Sequence, residues 1–194
     1  MEAFYGEISS LLYIIYKRDF MDTLDVPLEM MKYKKYFPPQ GNLLNISFDD
    51  YFAVYRSNLQ SIGMIDGEIT QNIPKFYIMI FSILEDVVST PQLIKNNLEK
   101  QYPLHEIRGD EPVYLQALTY ELKQDSEMLY EVIQLGENIC ENLAKKLEIE
   151  HKGLFGTDYL ISVAEFKDKL DNRYPNDFLS SMEQQDTMVT SNGK

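Results

Sequence analysis

The sequence has few of the residues on which enzyme chemistry most often depends. Its 194 residues include two histidines, one cysteine and no tryptophan. The single cysteine, Cys140, cannot form a disulfide within the chain, and inside a helical pattern it is typical of a small buried apolar residue. A chain without a disulfide framework favours a reducing compartment, and we expect a cytoplasmic location.

Several catalytic and nucleotide-binding patterns are also missing. No Gly-x-x-x-x-Gly-Lys loop or dinucleotide-binding fingerprint occurs, so nucleotide hydrolysis and Rossmann chemistry are unsupported. Only His105 and His151 could act as a histidine general base, and no arginine precedes either by four to six residues, the spacing of one class of helical ribonucleases. We therefore predict no catalytic residues and no cofactor.

A long apolar run is absent as well. The most apolar stretch, residues 73–88, contains Lys75, Glu85 and Asp86, whereas a membrane-spanning helix needs about 20 mostly apolar residues. Residues 1–7 lack a basic segment ahead of an apolar run, so no signal peptide is predicted. We expect residues 73–88 to form a helix at the centre of the core, and we expect no membrane association.

Positive charge is scarce, since 18 Lys and Arg face 31 Asp and Glu and the net charge is −13. A field of this sign repels nucleic-acid phosphates and anionic lipids, and it suits a basic protein partner. One basic cluster stands beside tyrosines, with acidic residues interspersed. Its members are the candidate nucleic-acid contacts Lys17, Arg18, Lys32, Lys34 and Lys35.

What the chain has in quantity is apolar residues at helical spacing, and the clearest case is residues 112–152. This segment predicts a long amphipathic helix whose apolar positions alternate in steps of four and three, with interruptions at Asp125 and Gly136. Such a seam is typical of helices that pair. The predicted self-association interface consists of Leu118, Leu122, Leu129, Val132, Ile139 and Leu143. The pattern leaves open whether the helix is continuous or kinked near Asp125.

Shorter patterns predict the remaining helices of a mainly α bundle of about seven. The first three cover residues 2–22, a segment opening at Asp25 and Pro27, and residues 47–63. A fourth opens at Pro74 and a fifth at Pro91, since proline is favoured in the first turn of a helix. Gly153 is expected to end the long helix, and Ser162 with Glu165 forms a capping box for a short C-terminal one.

An Asp66-Gly67 pair between apolar residues predicts a β-hairpin. Three helices followed by a hairpin suggest a winged-helix-like portion over residues 1–70. The helical core would then cover residues 71–182, and the polar residues 183–194 would form a flexible tail.

Two acidic patterns have the spacing of helical metal sites. Glu148 and His151 stand three apart, as in helical di-iron proteins, but the second copy that such a site needs is missing. Paired carboxylates also occur one helical turn apart, as in Glu127 with Glu131 and Glu137 with Glu141. We interpret these as solvated helix faces and predict no metal ligand.

The function indicated is a non-enzymatic, acidic, helical interaction module: an adaptor, inhibitor or regulator that binds another protein or itself. The chain has 14 Tyr and 10 Phe, more than the helix cores require, so we expect some tyrosines on a binding face. An alternative is a winged-helix regulator that contacts nucleic acid through its basic cluster. A second alternative is a metal-dependent enzyme that uses helix carboxylates and His151.

Overall fold

A computed structural model describes residues 1–32, 52–65, 67, 69–98, 112–155 and 161–175. Within these ranges there are five helices of 11 or more residues, two short helical segments and no strand. The long helices are α1 (Glu2–Lys17), α2 (Phe20–Met31), α5 (Ile69–Leu98), α6 (Pro112–Leu147) and α7 (Val163–Arg173). The short ones are α3 (Ala53–Ser57) and α4 (Leu59–Ile62). The mainly α prediction is confirmed, but about seven full helices is wrong for these ranges.

Helix α6 is the centre of the fold, with α1, α2, α5 and α7 all packed against it. Its 36 residues extend over about 54 Å at 1.5 Å per residue. The six side chains of its apolar seam are buried in this chain's own core, none more than 3% exposed: Leu118, Leu122, Leu129, Val132, Ile139 and Leu143. The apolar seam of α6 is therefore covered by other helices of the same chain, and a second chain could bind to the seam only if this core opened.

The expectation that residues 73–88 occupy the centre is wrong, because α5 lies on one side of α6 and turns a face to water. Ile78 on that face is 66% exposed. The helix is held by a stripe spaced four and three apart, all buried: Ile69, Ile73, Phe76, Ile80, Ile83 and Val87. No described helix is long and apolar enough to cross a membrane.

Proline positions led the sequence prediction to place helix starts where the structure has none. Pro27 lies inside α2, and α5 continues through both Pro74 and Pro91. An interior proline costs about 3 kcal/mol, whereas burying one large apolar side chain contributes about 1.5–3 kcal/mol. The six-residue buried stripe of α5 is therefore sufficient to keep one helix where two were predicted.

Helices α1 and α2 are separated by a break at Arg18 and Asp19, and not at Asp25 as the sequence suggested. Asp19 has a left-handed backbone with φ of 49°, a conformation that aspartate tolerates better than most residues. Its amide donates to the carbonyl of Tyr16 at 3.3 Å. The predicted single helix over residues 2–22 is consequently divided in two.

The predicted hairpin is not present in the residues that are described around Gly67. Gly67 does adopt a positive φ of 81°, as expected for a turn, but Ile69 begins α5 instead of a strand. Of the predicted third helix, residues 52–63 form only α3 and α4. The winged-helix interpretation of residues 1–70 is therefore unconfirmed, while the tail 183–194 lies outside the described ranges.

The residue that terminates α6 is not Gly153, which the sequence predicted. The helix ends at Leu147, and Glu148 takes the left-handed position with φ of 56°. The amide of Ile149 then donates to the carbonyl of Ala144 at 3.1 Å, which is the hydrogen bond of a Schellman motif. Gly153, the predicted C-terminal residue, lies five residues farther on.

Helix α6 is continuous through both interruptions in its seam. Next to the interruption at Asp125, the hydroxyl of Ser126 donates to the carbonyl of Leu122 at 2.9 Å, so this buried polar side chain has its hydrogen bond within its own helix. At Gly136 the missing side chain makes room for α1 and α5: an added Cβ would lie 2.7 Å from Phe76 and 2.9 Å from Leu12. Gly136 is therefore the residue that permits close packing of three helices.

We predict that Gly136→Ala destabilises the protein by about 1–2 kcal/mol. Overpacking of a core costs roughly 1–3 kcal/mol, which the better helix propensity of alanine only partly offsets. Gly6→Ala is the matched control, because Gly6 is exposed in α1 and has nothing within 4 Å of an added Cβ. It should stabilise the protein by about 0.5–1 kcal/mol. Urea unfolding followed by circular dichroism measures both, and a stabilising Gly136→Ala would contradict the packing described.

Candidate functional site

An apolar groove lies between α3 and the outer face of α5. Its volume is about 210 Å³. The lining residues are Phe52, Tyr55, Arg56, Tyr77, Ile78 and Phe81. Phe52 and Tyr77 are buried and form the floor, while Ile78 and Phe81 on the rim are 66% and 39% exposed. The groove therefore has an apolar interior formed by buried aromatic rings, and the apolar side chains on its rim are exposed to water.

The groove is held in shape by the carboxylate of Glu7 on α1. Its two oxygens accept the backbone amides of Val54 at 2.7 Å and Tyr55 at 3.0 Å, and the hydroxyl of Tyr77 donates to it at 2.6 Å. Burial, together with this carboxylate, raises the pKa of Tyr77. Glu7 thus connects the first turn of α3 to α5. No spacing pattern in the sequence predicts this contact.

Aromatic rings complete the walls of the groove. Tyr55 stacks on Tyr77 with ring centroids 4.1 Å apart, and Phe52 contacts Tyr77 edge-on at 5.9 Å. Phe52 also meets Phe81 at 6.0 Å. Packed rings have few rotamers to lose, so such a surface can bind a partner at a low entropic cost. Two tyrosines, Tyr55 and Tyr77, line this groove, and the expectation that some tyrosines lie on a binding face stays a prediction. Ile78 had no distinguishing signal in the sequence.

A second constellation joins α1, α6 and the segment that follows α6. The hydroxyl of Tyr5 lies 3.3 Å from Nδ1 of His151, and Nε2 of His151 lies 2.9 Å from Oε2 of Glu137. The other oxygen of Glu137 accepts the backbone amide of Leu154 at 2.9 Å. Because a carboxylate only accepts, Nε2 carries a hydrogen, and in the neutral ring Nδ1 accepts from Tyr5.

This network differs from the metal pair that the sequence suggested. Glu148 lies outside α6 and His151 lies in the irregular segment after it, so the two do not share a helical face. The order tyrosine, histidine, carboxylate matches that of a nucleophile, a base and an orienting group. Burial, however, is the largest of the effects that raise the pKa of Tyr5, which disfavours a phenolate. We interpret the network as a fastening of residues 149–155 to the bundle.

Cys140 lies on α6 one turn from Glu137 and is completely buried, in agreement with the packing role predicted for it. Burial, and to a smaller extent the charge of Glu137, raises the pKa of its thiol to about 12. The thiolate form is therefore strongly disfavoured at neutral pH, and a nucleophilic role does not fit.

The paired carboxylates each have a partner of their own. Glu127 pairs with Lys167 at 3.0 Å and Glu141 with Lys145 at 2.9 Å, while Glu131 pairs with Lys75. Among the described residues, no group of three or more histidine, cysteine or acidic side chains could hold a metal ion.

Three of the five basic residues predicted to contact nucleic acid lie in the described part of the chain, and their joint role stays a prediction. Lys17 and Arg18 lie at the end of α1, whereas Lys32 follows α2, about 18 Å farther along a 12-residue helix. Lys32 pairs with Glu29 at 3.3 Å and lies 4.4 Å from the ring centre of Tyr174. Lys34 and Lys35 are outside the described residues.

A larger cavity of about 320 Å³ lies beside the break between α1 and α2. Its lining includes the charged side chains of Lys17 and Asp19, together with Tyr16 and Phe155. Tyr16 and Phe155 meet edge-on with ring centroids 5.7 Å apart. Charges of both signs line this cavity, whereas Arg56 is the one charged residue among those that line the groove, so the cavity has less reason to take an apolar partner than the groove has.

No protein-family model matches the chain, and neither a curated protein nor a solved structure is significantly similar to it. A function is therefore inferred from the groove, the histidine network and the distribution of charge. Of these, the groove has the clearest physical reason to bind an external partner, because its rim exposes apolar surface that a partner would remove from water.

We predict that Glu137→Gln changes the tautomer of His151. A glutamine amide nitrogen facing Nε2 would donate to it, so the ring hydrogen should move to Nδ1 and point to the oxygen of Tyr5. Loss of the charge-assisted bond should cost about 1 kcal/mol. Nitrogen-15 NMR of the labelled imidazole reports the tautomer directly, and urea unfolding reports the stability.

Glu141→Gln is the control for this substitution, because Glu141 lies one turn farther along α6 and is exposed beside Lys145. It should leave the tautomer of His151 unchanged, because its interaction with His151 is electrostatic and not a hydrogen bond, and loss of its exposed ion pair should lower the stability far less than Glu137→Gln does. A wild-type protein whose neutral His151 already carries its hydrogen on Nδ1 would contradict the geometry of the network.

Proposed function

We propose that this protein is a non-enzymatic interaction module that binds another protein through the groove between α3 and α5. The observation that carries the proposal is the exposure of Ile78 and Phe81 beside an apolar cavity. Exposed apolar residues that occur singly are common on soluble proteins. Here they adjoin a preformed pocket with an aromatic floor, and that combination is typical of binding sites.

The partner that fits this protein is a basic one that presents an apolar side chain. A groove of about 210 Å³ has room for a single large aliphatic or aromatic side chain. The net charge of −13 produces a field that accelerates encounters with basic proteins and opposes encounters with acidic ones. The apolar contact would supply most of the affinity, and the charge would supply much of the association rate.

An adaptor, inhibitor or regulator role agrees with the chemistry of the described residues. Cys140 is buried with a raised thiol pKa, and the histidine network has its polar atoms occupied by partners within the chain. The binding surface proposed here replaces the seam of α6, whose six side chains form the core.

We predict that Ile78→Gln weakens binding to the partner at least about tenfold, because the partner would remove this exposed apolar side chain from water. Glutamine is compatible with a helix and adds no charge, so the fold and the long-range field should be unchanged. The partner would first be captured from the native cells with the wild-type protein and identified by mass. Its dissociation constant would then be measured for each variant by calorimetry.

Ile149→Gln is the matched control, because Ile149 is also an exposed isoleucine, 45% accessible, but lies after α6 and away from the groove. It should bind as the wild type does. If the two variants bind equally well, the groove is not the docking surface. Raising the salt concentration should slow association of the wild type, and an acidic partner would contradict the charge argument.

A further inference from the structure

The cavity beside the break between α1 and α2 has the size and the lining of a small-molecule site. Its volume of about 320 Å³ lies within the range of about 300–1,000 Å³ that is usual for ligand pockets. Such pockets combine apolar and aromatic walls with a few polar groups that orient the ligand. The lining here has five apolar or aromatic residues and two charged ones: Ile15, Tyr16, Phe20, Met21 and Phe155, with Lys17 and Asp19.

One aromatic wall of the cavity is positioned by the histidine network. Phe155 meets Tyr16 edge-on with ring centroids 5.7 Å apart. The residue before it, Leu154, donates its backbone amide to one oxygen of Glu137 at 2.9 Å, and the other oxygen lies 2.9 Å from Nε2 of His151. The bonds that fasten residues 149–155 to α6 therefore also hold Phe155 against α1, and the wall exists before any ligand arrives.

The two charged residues of the lining lie on either side of the helix break. Lys17 is the last residue of α1, and Asp19 directly precedes α2. Both are exposed. None of the ion pairs formed by the described residues includes Lys17 or Asp19. One cavity thus offers a positive and a negative group, each of which a ligand of the opposite charge could approach.

We propose that this cavity binds a free α-amino acid that has a large apolar side chain. Lys17 would pair with the ligand carboxylate and Asp19 with its ammonium group, while the aromatic walls contact the side chain. A purely apolar ligand would remove water from both charges and offer them nothing in return. Because only one residue separates Lys17 from Asp19, a ligand whose two charges lie close together fits better than one with charges at opposite ends. This site is separate from the groove and does not depend on the function proposed for it.

The test is a titration of the full chain with L-phenylalanine and with L-leucine, followed by carbon-13 NMR of labelled methionine methyl groups. Met21 lines the cavity, and its signal is identified by its loss in Met21→Leu. It should shift and saturate at micromolar to millimolar ligand, since exposed ionic contacts give modest affinity. Met79 on α5, which does not line the cavity, should be unaffected. A Met21 signal that stays in place with both amino acids would overturn the proposal.

Two analogues of phenylalanine show whether both charges are recognised. 2-Phenylethylamine keeps the ring and the ammonium group, and 3-phenylpropanoate keeps the ring and the carboxylate. Each should bind at least about threefold more weakly than L-phenylalanine, because it leaves Lys17 or Asp19 without an opposite charge. If either analogue binds as tightly as the amino acid, the site does not recognise a zwitterion and the proposal is wrong.

Lys17→Met and Asp19→Asn test the same contacts from the side of the protein. Each should weaken binding of L-phenylalanine at least about threefold. Asparagine tolerates the left-handed backbone as aspartate does, so Asp19→Asn should keep the helix break. Lys169→Met and Asp168→Asn are the matched controls, because they make the same charge changes at exposed positions of α7 and should bind as the wild type does.

Ile78→Gln separates this site from the groove, which also has room for one large apolar side chain. The variant should bind L-phenylalanine as tightly as the wild type does. Loss of this binding in Ile78→Gln, or equal binding by wild type, Lys17→Met and Asp19→Asn, would overturn the assignment of the ligand to the cavity. Failure of the groove to bind a protein partner would leave the titration of Met21 unchanged, so the two proposals fail separately.

Discussion

The structure depends on the enclosure of α6 by four other helices. A helix so enclosed must place apolar side chains on several faces, and each buried polar group on it must find a partner. The buried polar residues of α6 show how this is done: Ser126 bonds to its own helix, Thr119 donates to the sulfur of Met31 on α2 at 3.4 Å, and Lys123 pairs with Asp171 of α7 at 2.6 Å. Each of the last two contacts also attaches a neighbouring helix, so the buried polar groups of α6 help to fix where α2 and α7 dock.

The acidic residues of this chain do more than solvate its surface. Glu7 fastens α3 and thereby shapes the groove, and Glu137 fastens residues 149–155 through His151 and Leu154. Asp25 and Glu29 on α2 accept the hydroxyl of Tyr174 and pair with Arg173, which secures the end of α7. The excess of negative charge thus includes carboxylates that position the groove and the helix ends. The remainder supplies the field that would select a basic partner.

The sequence predicted the fold class and the long helix better than the helix boundaries and the long-range contacts. Helical periodicity identified the long helix and the capping box of Ser162 with Glu165, because both depend on residues close in sequence. Helix boundaries at Pro27, Pro74 and Pro91 were wrong, since long-range packing against α6 outweighs local proline preferences. The aromatic residues of the groove stood out by composition, but their convergence depends on Glu7, about 50 residues away along the chain from α3. Contacts of that range have no signature in one sequence.

Native-state hydrogen exchange tests most directly the claim that α6 is the enclosed centre of one chain. If the account is correct, the amides of residues 129–143 should exchange most slowly and only through global unfolding, because the buried apolar side chains of this segment pack in the core of a helix that contacts α1 and α5. Their protection should also be independent of protein concentration. Fast exchange in this segment, or protection that appears only at high concentration, would mean that the seam pairs between chains, and the central claim would be wrong.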